Sequence, residues 1–139
     1  MKLVLIALAL FSVATLLVFC KHTRYTPDNL PAQQIRFGKG GGFTGIEQAY
    51  TLLDNGQLFD ANRTELDSAK RRVAKSCFKT VEQLKLAQLD FKHPGNTYSF
   101  IEVPSGDGYR RISWGAADAP VDKNIAALFE KLMSLVIKG

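Results

Sequence analysis

The chain has 139 residues, with 18 Lys and Arg against 13 Asp and Glu, a formal net charge of +5, and 46% apolar side chains. That length suits one compact domain that buries a core without crosslinks; it leaves no room for a two-domain enzyme or an ordinary dinucleotide-binding fold. Plentiful aromatics and a mild charge excess exclude a disordered body.

Residues 3–20 (LVLIALALFSVATLLVFC) form an apolar run broken only by Ser12 and Thr15, with Lys2 before it. Three readings compete. A cleaved secretory signal has the charged start and apolar stretch but lacks a good small-residue cut site before Lys21. An uncleaved membrane helix is feasible at the short edge of the length needed to cross a bilayer. A lipoprotein signal fits Leu17-Val18-Phe19-Cys20, after which the chain turns polar at once, and makes Cys20 the lipid attachment residue. Phe19 departs from the small residue preferred before such a cysteine. All three readings put the body outside the cytoplasm, in the cell envelope facing the periplasm or exterior. An uncleaved helix could invert, because the positive charges lie mainly after it.

Residues 21–34 (KHTRYTPDNLPAQQ) carry Pro27 and Pro31 and no regular period, so they read as a flexible tether. The globular domain is then expected over residues 35–139. Ile35-Arg36-Phe37 begins a strand that the glycines of Gly38-Lys39-Gly40-Gly41-Gly42 should end. Residues 46–53 fit a helical stripe and a strand equally by period. The Asp54-Asn55-Gly56 turn and the following Leu58-Phe59 decide for strand, turn, strand.

Thr64 is a plausible helix N-cap, with Leu66, Ala69, Val73 and Cys77 at helical spacing and Lys70, Arg71, Arg72 and Lys75 on the wet side. Thr80, with Gln83 three residues on, suggests a second cap and a short second helix through Val81, Leu84 and Ala87. His93-Pro94-Gly95-Asn96 reads as a turn. Residues 97–103 and 109–114 are rich in aromatic and β-branched side chains, and Pro104–Gly108 should join them as a hairpin. Ile125, Leu128, Phe129, Leu132, Leu135 and Val136 make one apolar stripe on a closing helix that starts near Pro120. The sum is an α+β domain: an antiparallel sheet built from hairpins, with helices packed on one face.

Few residues offer chemistry. Gly40 to Gly45 matches G-x-G-x-x-G, with Glu65 about twenty residues on, but a dinucleotide site needs that loop to open a helix. Here it opens a hairpin strand, so the glycines read as a bend. Only His22, His93 and Cys77 are available as soft metal ligands, at no zinc spacing. Ser105 sits in turn sequence and not in a nucleophile elbow. No catalytic residue, metal ligand or cofactor is expected. Cys77 on the apolar stripe reads as a buried thiol. Lys70, Arg71, Arg72, Lys75 and Lys79, with Arg110 and Arg111 as additions, form a basic face. A nucleic-acid site would want it interleaved with stacking aromatics in the cytoplasm, and the leader speaks against that compartment. The face therefore reads as solvated first, and as a contact for anionic lipid or an acidic partner second. Gly40, Gly41, Gly42, Phe43 and Thr44 are the candidate contact with a partner. An exposed Phe43 on a glycine loop would contact it, whereas a buried one would plug the core.

Gly41-Gly42-Phe43-Thr44-Gly45-Ile46 resembles the opening of emfourin-type domains, protein inhibitors of thermolysin-like metallopeptidases. Tyr98-Ser99-Phe100-Ile101-Glu102-Val103, then Arg111-Ile112-Ser113, Pro120 and the helix around Leu128 and Leu132 are similar too. The resemblance spans roughly residues 35–137, and it departs in the leader, the tether and a longer basic middle. It is closer still to anchored lipoproteins of Bacteroidetes-type bacteria with the same Gly-Gly-Gly-Phe opening. It implies a protein partner such as a peptidase, and no inhibitory residue maps onto this chain. The alternative is a small envelope enzyme or ligand-binding domain with a pocket near Trp114 and the glycine loop.

Overall fold

The computed structural model describes residues 23–137. Their elements in chain order are β1 (Gln34–Gly41), β2 (Gln48–Leu53), β3 (Leu58–Phe59), β4 (Glu65–Leu66), α1 (Arg71–Gln83), β5 (Lys92–His93), β6 (Thr97–Ser105), β7 (Gly108–Trp114) and α2 (Lys123–Val136). The strands form one sheet in the order β4-β3-β2-β1-β6-β7-β5.

Side-chain alternation along the strands splits this sheet into two unlike faces. Ile35 and Phe37 of β1, Ile101 and Val103 of β6 and Ile112 of β7 join one buried cluster with Ala74 and Cys77 of α1 and Ile125, Leu128, Phe129 and Leu132 of α2. The α+β class and the apolar stripe of α2 are therefore as expected, and Trp114 closes the cluster edge-on against Phe129 at 5.1 Å between ring centroids. The intervening residues, among them Arg36, Glu102 and Arg111, project from the opposite face, where Arg36 faces Glu102 and Glu102 faces Arg111 across neighbouring strands.

The sheet is mixed rather than purely antiparallel, because β5 runs parallel to β7. His93 thus belongs to a strand and not only to a turn. Two backbone bonds carry the pairing past the strand ends, from Ser113 N to Phe91 O and from Ala116 N to His93 O, both at 3.0 Å.

The glycines do not end β1, which continues to Gly41. A Cβ at Gly38 would collide with the Gln48 carbonyl, and one at Gly40 with the Tyr98 ring. These positions let the neighbouring strand and an aromatic ring approach the backbone, as cross-strand aromatics do over sheet glycines. The Asp54–Gly56 loop makes the expected hairpin by another route. Gly56 has φ 96° while Asn55 does not have positive φ, and Gly56 N donates to Leu53 O at 3.0 Å. That is a type I turn followed by a left-handed glycine, not a pair of positive-φ residues.

Two capping expectations fail. Thr64 precedes β4, because the Asp60 carboxylate accepts from the amides of Asn62 and Thr64 at 2.9 and 2.8 Å and folds residues 60–64 back onto β3. The basic helix instead starts at Arg71, with Lys70 as a cap that makes no side-chain bond. Thr80 caps nothing. Its hydroxyl donates to the Ser76 carbonyl one turn back at 3.0 Å, and one helix runs through it. A short 3-10 turn, Leu86–Gln88, follows Lys85, which has φ 52°.

Of the segment read as a tether, residues 23–34 are described: Gln34 already opens β1, and the stretch before it is bonded to the domain. Tyr25 N donates to Gln57 Oε1 at 2.7 Å, and Gln57 Nε2 donates to Tyr25 O at 3.0 Å. Asn55 Nδ2 donates to Thr23 O at 2.9 Å, and Arg24 pairs with Glu65 at 2.7 Å. Gln57 is only 3% exposed, and Tyr25 shares the satisfaction of its amide with Asn55 Nδ2, which donates to Gln57 Oε1 at 2.7 Å, and with Glu65 Oε1, which accepts from Gln57 Nε2 at 3.2 Å.

Candidate functional site

The β1–β2 connection holds most of the residues singled out as a partner contact. Gly41 and Gly42 have φ 84° and 77°, and Gly45 has φ 63°, a region that side-chain-bearing residues rarely occupy. A Cβ at Gly41 would meet the Asn96 carbonyl, and Gly42 N donates to that same carbonyl at 2.7 Å. Gly45 N closes the loop on Gly42 O at 3.2 Å. The backbone path turns Phe43 wholly outward: its exposure is 107%, and that of Ile46 is 66%. Phe43 therefore does not plug the core. Thr44 is exposed beside it, and Lys39, Gly40, Gly41, Thr44, Ile46 and Thr97 line a shallow groove of ≈ 380 Å³ under the loop. Trp114 is not part of that groove.

The loop ends at Glu47, which reaches across the exposed face of the sheet. Arg111 Nη1 and Nη2 donate to the two Glu47 oxygens at 2.8 and 3.2 Å, a bidentate pair. Tyr98 donates its hydroxyl to Glu47 Oε2 at 2.7 Å. Arg111 Nε donates to Glu102 at 2.9 Å, and Arg36 donates to the other Glu102 oxygen at 2.7 Å. The Arg111 guanidinium also stacks 4.0 Å over the Phe100 ring.

This network shifts its members. Arg111 hydrogen bonds hold the Glu47 carboxyl below its ordinary value, against burial, which pushes it up; Tyr98 adds to the lowering. The bond to Glu47 raises the Tyr98 hydroxyl. Burial works against the Arg111 charge, but its bonds to Glu47 and Glu102 prevail and its pKa rises. Each acid here meets a base, and the paired charges fix the geometry of the cluster. Its effect is to tie the far end of the glycine loop rigidly to β6 and β7.

Of Arg110 and Arg111, expected as additions to the basic helix face, Arg111 does not join it, whereas Arg110 pairs with core-facing Val103 and so lies on the helix side of the sheet. Arg111 is engaged on the opposite side of the sheet, and Arg110 lies 4.0 Å from Asp90. Ser105 donates to the Ala87 carbonyl at 2.7 Å. Cys77 is buried, and burial pushes its thiol up. Among the described residues no three His, Cys, Asp or Glu side chains gather as metal ligands, and no helix is long and apolar enough to cross a membrane. Cys20 and the apolar run lie outside the described residues.

A second hollow, of ≈ 620 Å³, lies between α1 and the sheet, lined by Ile35, Phe78, Val81, Ala87, Val103 and Pro104 among others. No protein-family model matches the chain, and no curated protein is significantly similar to it.

Proposed function

We propose that the chain is a non-catalytic, membrane-anchored protein of the cell envelope whose glycine loop inserts Phe43 into a cleft of a protein partner, a peptidase being the leading candidate. Cys20 is the lipid attachment residue in this reading. The observation that carries it is Phe43 held fully in solvent on a loop fixed at both ends, by Gly42 on Asn96 and by Glu47 on Arg111. An aromatic ring in water gains by burial, and a loop already ordered loses little freedom on binding. The resemblance of this loop and the β6–β7 hairpin to emfourin-type inhibitors supports the choice of partner.

Burying Phe43 should contribute about 1.5–3 kcal/mol, or roughly ten- to a hundredfold in affinity. The test is inhibition of a thermolysin-like peptidase by the full chain and by Phe43→Ala. The expected outcome is inhibition that weakens about ten- to a hundredfold in the variant with an unchanged melting temperature. A peptidase left fully active at micromolar chain removes the inhibitor reading. A variant that inhibits as well as the parent removes Phe43 as the contact. The apolar hollow beside α1 favours one other reading, a domain that binds a small apolar ligand, and such binding would be indifferent to Phe43.

A further inference from the structure

We infer that the domain rests on an anionic lipid surface through the basic side of α1, which points the Phe43 loop away from the membrane. This inference builds on the anchored reading above and adds an orientation to it.

The two ends of the sheet differ. At one end lie the glycine loop, Lys39, the 94–97 turn and the β5 strand, joined by Gly42 N on Asn96 O and by the pairing of His93 with Trp114. At the other lie the Asp54–Gly56 turn and the β6–β7 hairpin tip, since Gln34 pairs with Leu53 and Ser105 with Gly108. The six residues of β2 put about 20 Å between these ends.

The chain enters at the second end. Thr23 and Tyr25 are bonded to Asn55 and Gln57 beside the turn. Only three residue steps separate Thr23 from Cys20, a reach of about 10 Å when extended. That distance is about one screening length at physiological salt, so charges at this end feel the lipid headgroups.

The helix α1 crosses this same end. Its start is tied to the turn by Ala69 N on Gly56 O at 2.8 Å, and the chain beyond its finish is tied to the β6 tip by Ser105 on Ala87. From Ser68 to Val81 the chain has five basic residues and no acidic one. Lys70, Arg72, Lys75 and Lys79 are exposed, and Lys131 of α2 comes alongside, its Nζ donating to Ser76 at 2.6 Å. Asp54 and Asp107 sit at the turn tips of this end, and exposed Asp67 and Glu82 flank the basic run, but these four acids are outnumbered by Lys70, Arg71, Arg72, Lys75, Lys79 and Lys131. Charge complementarity and the short link to the leader together select an anionic bilayer as the occupant of this face.

The test uses the full chain reconstituted in vesicles of phosphatidylcholine alone, and of phosphatidylcholine with phosphatidylglycerol. An uncharged acetylating reagent is applied, and each lysine is followed by mass spectrometry. Lys70 and Lys75 should label about fivefold more slowly in the anionic vesicles, while Lys39 and Lys92, at the far end, label alike in both. The double variant Arg72→Glu/Lys75→Glu, both positions being exposed, should erase the slowing at Lys70 without loss of folding. Equal labelling of Lys70 and Lys75 in a chain that floats with both vesicles overturns the orientation alone. So does slowing at Lys39 equal to that at Lys75. A chain that floats with neither vesicle overturns the anchoring, and the orientation falls with it.

Discussion

Glu47 links the glycine loop to the sheet through charge, and its behaviour with pH follows from the direction of its shift. A carboxyl whose folded-state pKa is depressed stabilises the fold above its unfolded value and loses that contribution as pH falls through the folded value. Arg111 hydrogen bonds are the largest cause of the depression here. Glu47→Gln should therefore cost about 1–2 kcal/mol at neutral pH, discounted for partial exposure, and almost nothing once the parent carboxyl is protonated. Urea midpoints followed from pH 7 down through the acid range measure this, and a difference that stays constant while the parent carboxyl is titrated would show that the Glu47 charge stabilises nothing. Phe43 was visible in the sequence, because an aromatic among glycines has few reasons to exist. Glu47 was not: its partners Tyr98 and Arg111 stand 51 and 64 residues away, and no local pattern reports such a pairing.

The elements divide by how much of their stability is local. The closing helix announces itself through six apolar residues at helical spacing, and Asp122 caps it by accepting from Asn124 N at 2.8 Å. Leu132, fully buried between sheet and helix, should cost about 2–5 kcal/mol on truncation to alanine. Chemical denaturation of Leu132→Ala checks this, and a loss below about 0.5 kcal/mol would place the residue outside the core. The start of the basic helix depends on contacts outside its own sequence. Thr64 and Thr80 carry capping side chains, yet one is drawn into a loop by Asp60 and the other bonds one turn back. The strands β4 and β5 have two residues each, too few for any period, and exist because the neighbouring strand, β3 for one and β7 for the other, presents free backbone groups to them.

At the scale of the molecule, residues 23–33 are bonded to the folded body through Thr23, Arg24 and Tyr25. Gln57 is buried and takes two of its bonds from Tyr25. A chain beginning at Gln34 should still fold, since every strand and both helices remain, but it loses the two Tyr25–Gln57 bonds and the Asn55 and Glu65 bonds to Thr23 and Arg24. The expected loss is about 1–3 kcal/mol relative to a chain beginning at Thr23. Equal denaturation midpoints for the two would mean that residues 23–33 lie on the domain without stabilising it.

The sequence by itself determined the features that depend on neighbours along the chain. These include the α+β class, the two hairpins, the core stripe of α2, the basic wet side of α1 and the glycine loop carrying Phe43. Each rests on a period or on the conformational freedom of one residue. Only the tertiary structure decided that β1 runs through its glycines, that β5 pairs in parallel, that Arg111 leaves the basic face for Glu47, and that Tyr25 closes over Gln57. In each of those cases the deciding contact joins residues distant in sequence, and its energy comes from packing or pairing across the sheet.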